Sequence, residues 1–176
     1  MIIIKNKRCS IEKLKKEYPN AIIIDVTSKG EGVWLKLSPF YPHGDIPSKG
    51  MTSMRVEGVW QGLKVFENID IDIHSFRNST MKDLKRTIRT NGKCLGHRKG
   101  VKGELIEYIN ARKLIYLPAY NWMLENKCKE QIGKLKKMSK VKTVILLDYN
   151  TNGNIEDPTK PLSHAALIRD FILLNS

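Results

Sequence analysis

Glu57, Gln61 and Lys64 recur at i, i+4 and i+7. A helix through them lays a carboxylate, an amide and an ammonium along one face. A carboxylate held beside a cation and an amide can orient a water, or stabilise positive charge developing on a sugar. Trp60 lies in the same run, and the aromatic pair Phe40–Tyr41 lies shortly before it. Such rings stack a base or another ring. The plainer reading places Phe40, Tyr41 and Trp60 in the core and makes Glu57, Gln61 and Lys64 a solvated face.

Two further clusters carry weaker chemistry. In Gly96-His97-Arg98-Lys99-Gly100, glycines let backbone amides approach an anion and the cations neutralise phosphate. Neither the P-loop pattern nor the dinucleotide G-x-G-x-x-G is present, and an exposed basic turn is the alternative. Asp148 ends an apolar run at a polar loop that also holds Asp157. Sheet enzymes often place a catalytic carboxylate there, although Asp148 serves equally to cap the turn. Ser163-His164 lacks a G-x-S-x-G context, which argues against a serine hydrolase.

Composition narrows the classes. With 31 Lys and Arg against 18 Asp and Glu, the 176-residue chain carries a net charge of +13. That balance suits polyanions, nucleotides and phosphates, or serves solubility alone. Cys9, Cys94 and Cys128 are isolated, which opposes a disulfide framework and fits a reducing compartment. The four histidines show no metal-ligand spacing, so neither metal nor cofactor is expected. The apolar start MIIIKNKRCS is too short for a signal peptide, and no window is long enough to span a membrane. A cytoplasmic protein is expected, with no membrane partner.

These residues need elements to hold them. Length and patterning predict one compact α+β domain over residues 1–176, with a small sheet and several helices. Strands are expected at Ile2–Ile4, Ala21–Val26, Val33–Leu37 and Val141–Leu147, with a half-buried strand or extended segment at Ile69–Ile73. Helices are expected at Ser10–Tyr18, Met54–Phe66, Met81–Arg89 and Glu104–Tyr116, from Pro118 to about Lys137, and at Pro161–Leu174. Ser38–Ser53, rich in proline and glycine, reads as a long irregular loop, and so does Asn91–Gly103. Asp148–Pro158 reads as a third loop.

LSPFYPHGDIP, followed by SMRVEGVWQGLKVF, resembles the signature of the NADAR superfamily. Ser38, Phe40, Tyr41 and Pro42 match its serine-asparagine-phenylalanine-tyrosine-proline run. Glu57, Gln61 and Lys64 match its glutamate helix ending in glutamine-x-x-lysine-phenylalanine. Pro39 stands in place of the asparagine and Gly58 in place of a histidine, and the late tryptophan-glycine pair after Asp148 is absent. The order of elements is similar over most of residues 33–174, with residues 33–66 the specific block.

The resemblance implies a NADAR-like fold and a hydrolase that cleaves the C–N bond between ribose and a base or amino group. Glu57 would be the catalytic carboxylate, and Asp148 is carried as a second. Tyr41 and Trp60 would wall the ligand, while Lys64, Arg98 and Lys99 would hold phosphate. Phe40, Gln61 and His97 complete the expected ligand contacts. The expected partner is a ribosylated nucleotide or an ADP-ribose-type ligand. The alternatives are a non-catalytic, basic nucleic-acid-binding protein and a protein that sequesters a nucleotide.

Overall fold

In the computed structural model, which describes residues 1–82 and 85–175, the fold is α+β. The elements in chain order begin with β1 (Ile2–Asn6), α1 (Ile11–Glu17), β2 (Ile22–Asp25) and a 3-10 helix at Gly32–Leu37. Next come β3 (Ile46–Ser48), β4 (Met51–Ser53), α2 (Val56–Gly62), β5 (Lys64–Phe66), α3 (Ile73–Arg77) and α4 (Ile88–Asn91). They are followed by β6 (Cys94–Arg98), β7 (Leu105–Ile106), α5 (Tyr108–Ala111) and a π-helical turn at Arg112–Tyr116. The chain closes with α6 (Leu117–Asn126), α7 (Lys129–Val141), β8 (Val144–Asp148) and α8 (His164–Leu174). Contacts divide it into two compact units, Met1–Ser38 with Cys128–Ser176, and Pro39–Lys127.

The first unit is built on a three-stranded parallel sheet in the order β1-β8-β2. Strand β8 is apolar up to Asp148 and buried along its whole length, as expected for a central parallel strand. Leu14 from α1 packs on Ile145 and Leu147, with Ile3 and Ile23 beside them. Ser10 caps α1 and Ser163 caps α8, each accepting a backbone N–H through its hydroxyl. The expected strand Val33–Leu37 is instead the 3-10 helix. Gly32, at φ +59°, turns the chain into it, and a short apolar run has no periodicity that separates the two outcomes.

The second unit holds the hairpin β3–β4, the antiparallel sheet β5-β6-β7 and helices α2 to α6. The expected loop Ser38–Ser53 therefore contains regular structure. Pro47 is tolerated because, among the described residues, β3 pairs only with β4, which leaves its other edge with no ladder to serve. Gly50, at φ +97°, makes the turn. The expected helix Met54–Phe66 stops at Gly62, whose carbonyl accepts from Asp72 N at 2.8 Å, and residues 64–66 become β5.

Ile69–Ile73 is not a strand, because the Asp72 carboxylate caps α3 by accepting from His74 N at 3.0 Å. Of the expected helix Met81–Arg89, residues 83 and 84 lie outside the described residues, and only Ile88 onward is helical. The expected loop Asn91–Gly103 contains β6, which pairs with β5. The expected helix Glu104–Tyr116 is divided into β7, α5 and the π turn. Pro118 has no N–H and crowds the carbonyl four residues back, which favours the wider turn ahead of it. The helix predicted from Pro118 to about Lys137 is broken between α6 and α7 at Lys127 and Cys128.

Candidate functional site

Helix α2 presents Val56 and Val59 to the core of its unit, with Leu63 just beyond its end, and all three are buried. Its two glycines permit close packing. A Cβ on Gly58 would lie 2.4 Å from Ser53 Oγ and 2.7 Å from the Ser75 carbonyl oxygen, and one on Gly62 would lie 2.2 Å from the Phe76 ring. No side chain fits at position 58, where the resembling family has histidine. Ser53 Oγ donates to the carbonyls of Arg55 and Phe76, and Glu57 N donates to the Pro39 carbonyl. These bonds fix the start of α2 and so the position of Glu57.

The expected i, i+4, i+7 row forms a connected group. Gln61 Nε2 donates to Glu57 Oε1 at 2.8 Å, and Lys64 Nζ reaches Gln61 Oε1 at 3.4 Å. Arg86 ties the far end. Its N donates to Gln61 Oε1, and its guanidinium donates to the carbonyls of Gln61, Lys64 and Asp70. Glu57 is only 7% exposed, so it is not part of a solvated face.

Burial sets the electrostatics. Desolvation pushes the Glu57 carboxyl above its ordinary value, against the opposing pull of the Gln61 hydrogen bond and of Lys64, Lys85 and Arg55. Burial likewise lowers Lys64, against the pull of Glu57. Arg55, 1% exposed, is brought down to about 10 by burial, with Glu57 acting in the opposite direction. Its guanidinium therefore remains charged at neutral pH.

Trp60 stands beside this group in an aromatic cluster. Its ring lies 3.8 Å from His97, 5.4 Å from Tyr116 and 5.8 Å from Tyr108, centroid to centroid. Lys64 Nζ lies over its face at 5.9 Å. His97 is fully buried, and neither ring nitrogen has a hydrogen-bond partner among the described residues. Burial, with Lys64 and Arg86 adding to it, lowers the imidazole to about 3. His97 is thus a neutral ring packed behind Trp60. Tyr41 and Phe40 are half-buried, and Tyr41 lies 4.7 Å from the His43 ring.

The other expected phosphate ligands have partners of their own. Arg98 forms a forked pair with Asp70, at 2.8 and 2.5 Å, and donates to the Gly103 carbonyl. Lys99 lies 3.9 Å from Glu104 and lines an apolar cavity of about 350 Å³ with Lys49, Ser48, Val59, Leu63 and Trp122. Glu57 and Gln61 do not line that cavity.

Asp148 belongs to the first unit and organises it. Its Oδ2 accepts from Ser163 Oγ at 2.9 Å and Ala165 N at 3.3 Å, its Oδ1 accepts from Tyr149 N at 2.7 Å, and His164 Nδ1 lies 3.8 Å away. This 4%-exposed carboxylate fastens the start of α8 to the end of β8. Asp148→Ala should cost roughly 2–3 kcal/mol, because it leaves buried donors unmet. Urea unfolding checks this, and an unchanged midpoint would remove Asp148 from that role.

Sequence reasoning missed Arg55, Arg86, Tyr108 and Tyr116. Arg55 directly precedes the helix already singled out, so its position was a usable signal. The other three are distant in sequence and carried none. Among the described residues no group of His, Cys, Asp and Glu could hold a metal ion, and no helix is long and apolar enough to cross a membrane. No curated protein matches the chain. A profile described as a family of unknown function (DUF6939) matches residues 6–168, so the chain belongs to that family.

Proposed function

We propose that this chain is a divergent NADAR-like hydrolase that cleaves the N-glycosidic bond of a ribosylated nucleotide, nucleobase or ADP-ribose adduct. The observation that carries the reading is the buried Glu57 carboxyl, held by Gln61, with Lys64, Arg55 and Lys85 acting on it. In this reaction the C1′–N bond breaks and its electron pair leaves on nitrogen. Water forms the new C1′–O bond and its proton passes to Glu57, which hands it to the leaving nitrogen, or to solvent where a cationic pyridinium leaves as the neutral ring. A carboxylate with raised proton affinity is a better acceptor for that proton and also stabilises an oxocarbenium-like transition state. Trp60 would flank the sugar or base. Its three cysteines are all free, which suits a reducing cytoplasm.

Mass-spectrometric hydrolysis assays test the proposal. NAD, ADP-ribose adducts of nucleobases and protein, and pyrimidine ribotides are each offered to the wild type and to Glu57→Gln. Release of a base or of ADP-ribose by the wild type alone supports it, and no turnover on any substrate overturns it.

A second reading, nucleic-acid binding, is favoured by the exposed Lys129, Lys134, Lys137 and Lys140 along α7. Affinity for single-stranded RNA or duplex DNA should then fall at least tenfold between about 50 and 200 mM salt, as phosphate contacts release counterions. Binding that ignores salt, or no binding, removes this reading.

A further inference from the structure

Arg55 carries a buried charge in the second unit. Its backbone is held on both sides, with N donating to Ser53 Oγ and the carbonyl accepting from Ser53 Oγ and Val59 N. Its side chain runs along the bare Cα of Gly58, where Cγ comes within 3.4 Å of the place a Cβ would occupy. At the guanidinium beyond it, Nε and Nη1 are buried and have no hydrogen-bond partner among the described residues. A buried, permanently charged fork without acceptors is costly, and proteins normally retain one only where an oxyanion meets it. Nearby charge does not supply that oxyanion. Glu57 acts on Arg55, but its Oε1 is engaged by Gln61, and burial biases its carboxyl toward the neutral form. Lys64 and Lys85 act on the same carboxyl, so three cations face one acid.

We propose that Arg55 anchors an oxyanion site beside Glu57, and that the ligand it takes carries a phosphate or diphosphate group. The proposal rests on the hydrolase reading for its substrate and names the anionic part of it. The Arg55 fork grips two oxygens of one phosphoryl group, and Lys64 balances the remaining charge from the end of the Glu57–Gln61 row. The reacting sugar would then lie between that phosphate and Trp60. Gly58 belongs to the same device, because a Cβ there would lie 2.4 Å from Ser53 Oγ, which holds the Arg55 backbone.

The test measures binding and needs no turnover. Inorganic diphosphate and ADP are titrated into the wild type, Arg55→Met, Arg55→Lys and a control, Lys16→Met, exposed on α1, at physiological salt. Calorimetry and thermal unfolding are the readouts. Diphosphate should raise the wild-type Tm and bind at least tenfold more weakly to Arg55→Met. Arg55→Lys should fall between the two, since it keeps the charge and loses the fork. Arg55→Met without ligand should unfold no earlier than the wild type, because it removes an uncompensated buried charge. Tighter binding of ADP than of diphosphate identifies a nucleotide ligand, and equal binding identifies a free diphosphate. Absence of any wild-type response, or equal responses from wild type and Arg55→Met, overturns the proposal. If Arg55→Met fails to fold, Arg55→Lys decides, and unweakened diphosphate binding to it overturns the fork. Hydrolysis without diphosphate binding would defeat this site and leave the hydrolase reading standing. Binding without hydrolysis would do the reverse.

Discussion

Glu57→Gln is expected to lower hydrolysis by about 10²–10⁴-fold while leaving a folded protein at least as stable as the wild type. The two effects share one cause. In the folded chain Glu57 is deprived of water, and this outweighs the help it receives from Gln61 and the surrounding cations, so its proton affinity is raised. A carboxyl of this kind contributes stability below its unfolded value of about 4.5, and that contribution is lost as pH rises through the higher folded value. Above that folded value the ionised group therefore works against the fold. Glutamine keeps the shape and an oxygen for Gln61 Nε2, and it removes the pH dependence. The variant should unfold at the same or a higher urea concentration than the wild type, with the gap opening as pH rises from 4.5 to 8.

Turnover follows the opposite course. The wild-type rate should decline on acidification through a midpoint above the ordinary glutamate range, because the chemistry needs the carboxylate. A variant that keeps its turnover, or that unfolds, would return Glu57 to a structural role.

The second large effect concerns His97. The folded imidazole titrates at about 3 and the free one at 6.5, so the folded state refuses a proton that the unfolded chain accepts. For a base with a depressed value, stability is complete above 6.5 and is lost as pH falls toward 3. Each unit of that interval costs about 1.4 kcal/mol, which amounts to about 2.5 kcal/mol between pH 7 and 4.5 and about 4 kcal/mol by pH 3. These losses are a large part of the stability of an ordinary domain. His97→Phe keeps a ring against Trp60 and cannot be protonated, so most of the acid sensitivity should disappear. The comparison is best made in the Glu57→Gln background, since Glu57 acts in the opposite direction over the same range. Urea midpoints at pH 7 and pH 4.5 provide the difference, and an unchanged difference in the double variant would show that His97 does not carry it. The neutral-pH midpoint alone would not decide, because phenylalanine also alters the packing volume.

The α+β class and the elements around Ser10, Ile22–Asp25, Val144–Asp148 and Ser163 were legible because local physics speaks plainly there. A hydroxyl before an amphipathic run caps a helix, and a β-branched run between turn residues makes a buried strand. The second unit was harder to read. Its strands are two to five residues long, and its helices from α2 to α5 are four to seven. Segments of that length carry only one or two periods of a hydrophobic pattern, so tertiary partners chose their state. Lys64–Phe66 continues a helical pattern yet pairs with β6, and Ile69–Ile73 alternates like a strand yet yields to the Asp72 cap.

The candidate site divides in the same way. By itself the sequence determined that Glu57 and Gln61 share a face, because i, i+4 spacing on a helix leaves little freedom, whereas Lys64 reaches Gln61 from β5, beyond the end of the helix. It also determined the basic charge, whereas the rings around Trp60 come from distant segments. Only the tertiary structure decided which of those groups are dry. It buried Glu57 and sealed His97 behind Trp60. It paired Arg98 with Asp70 and turned Asp148 to the start of α8. It also left Arg55 Nε and Nη1 buried without an acceptor among the described residues. Spacing sets which residues can share a face, whereas desolvation depends on what the rest of the chain packs over that face, and desolvation gives these groups their chemistry.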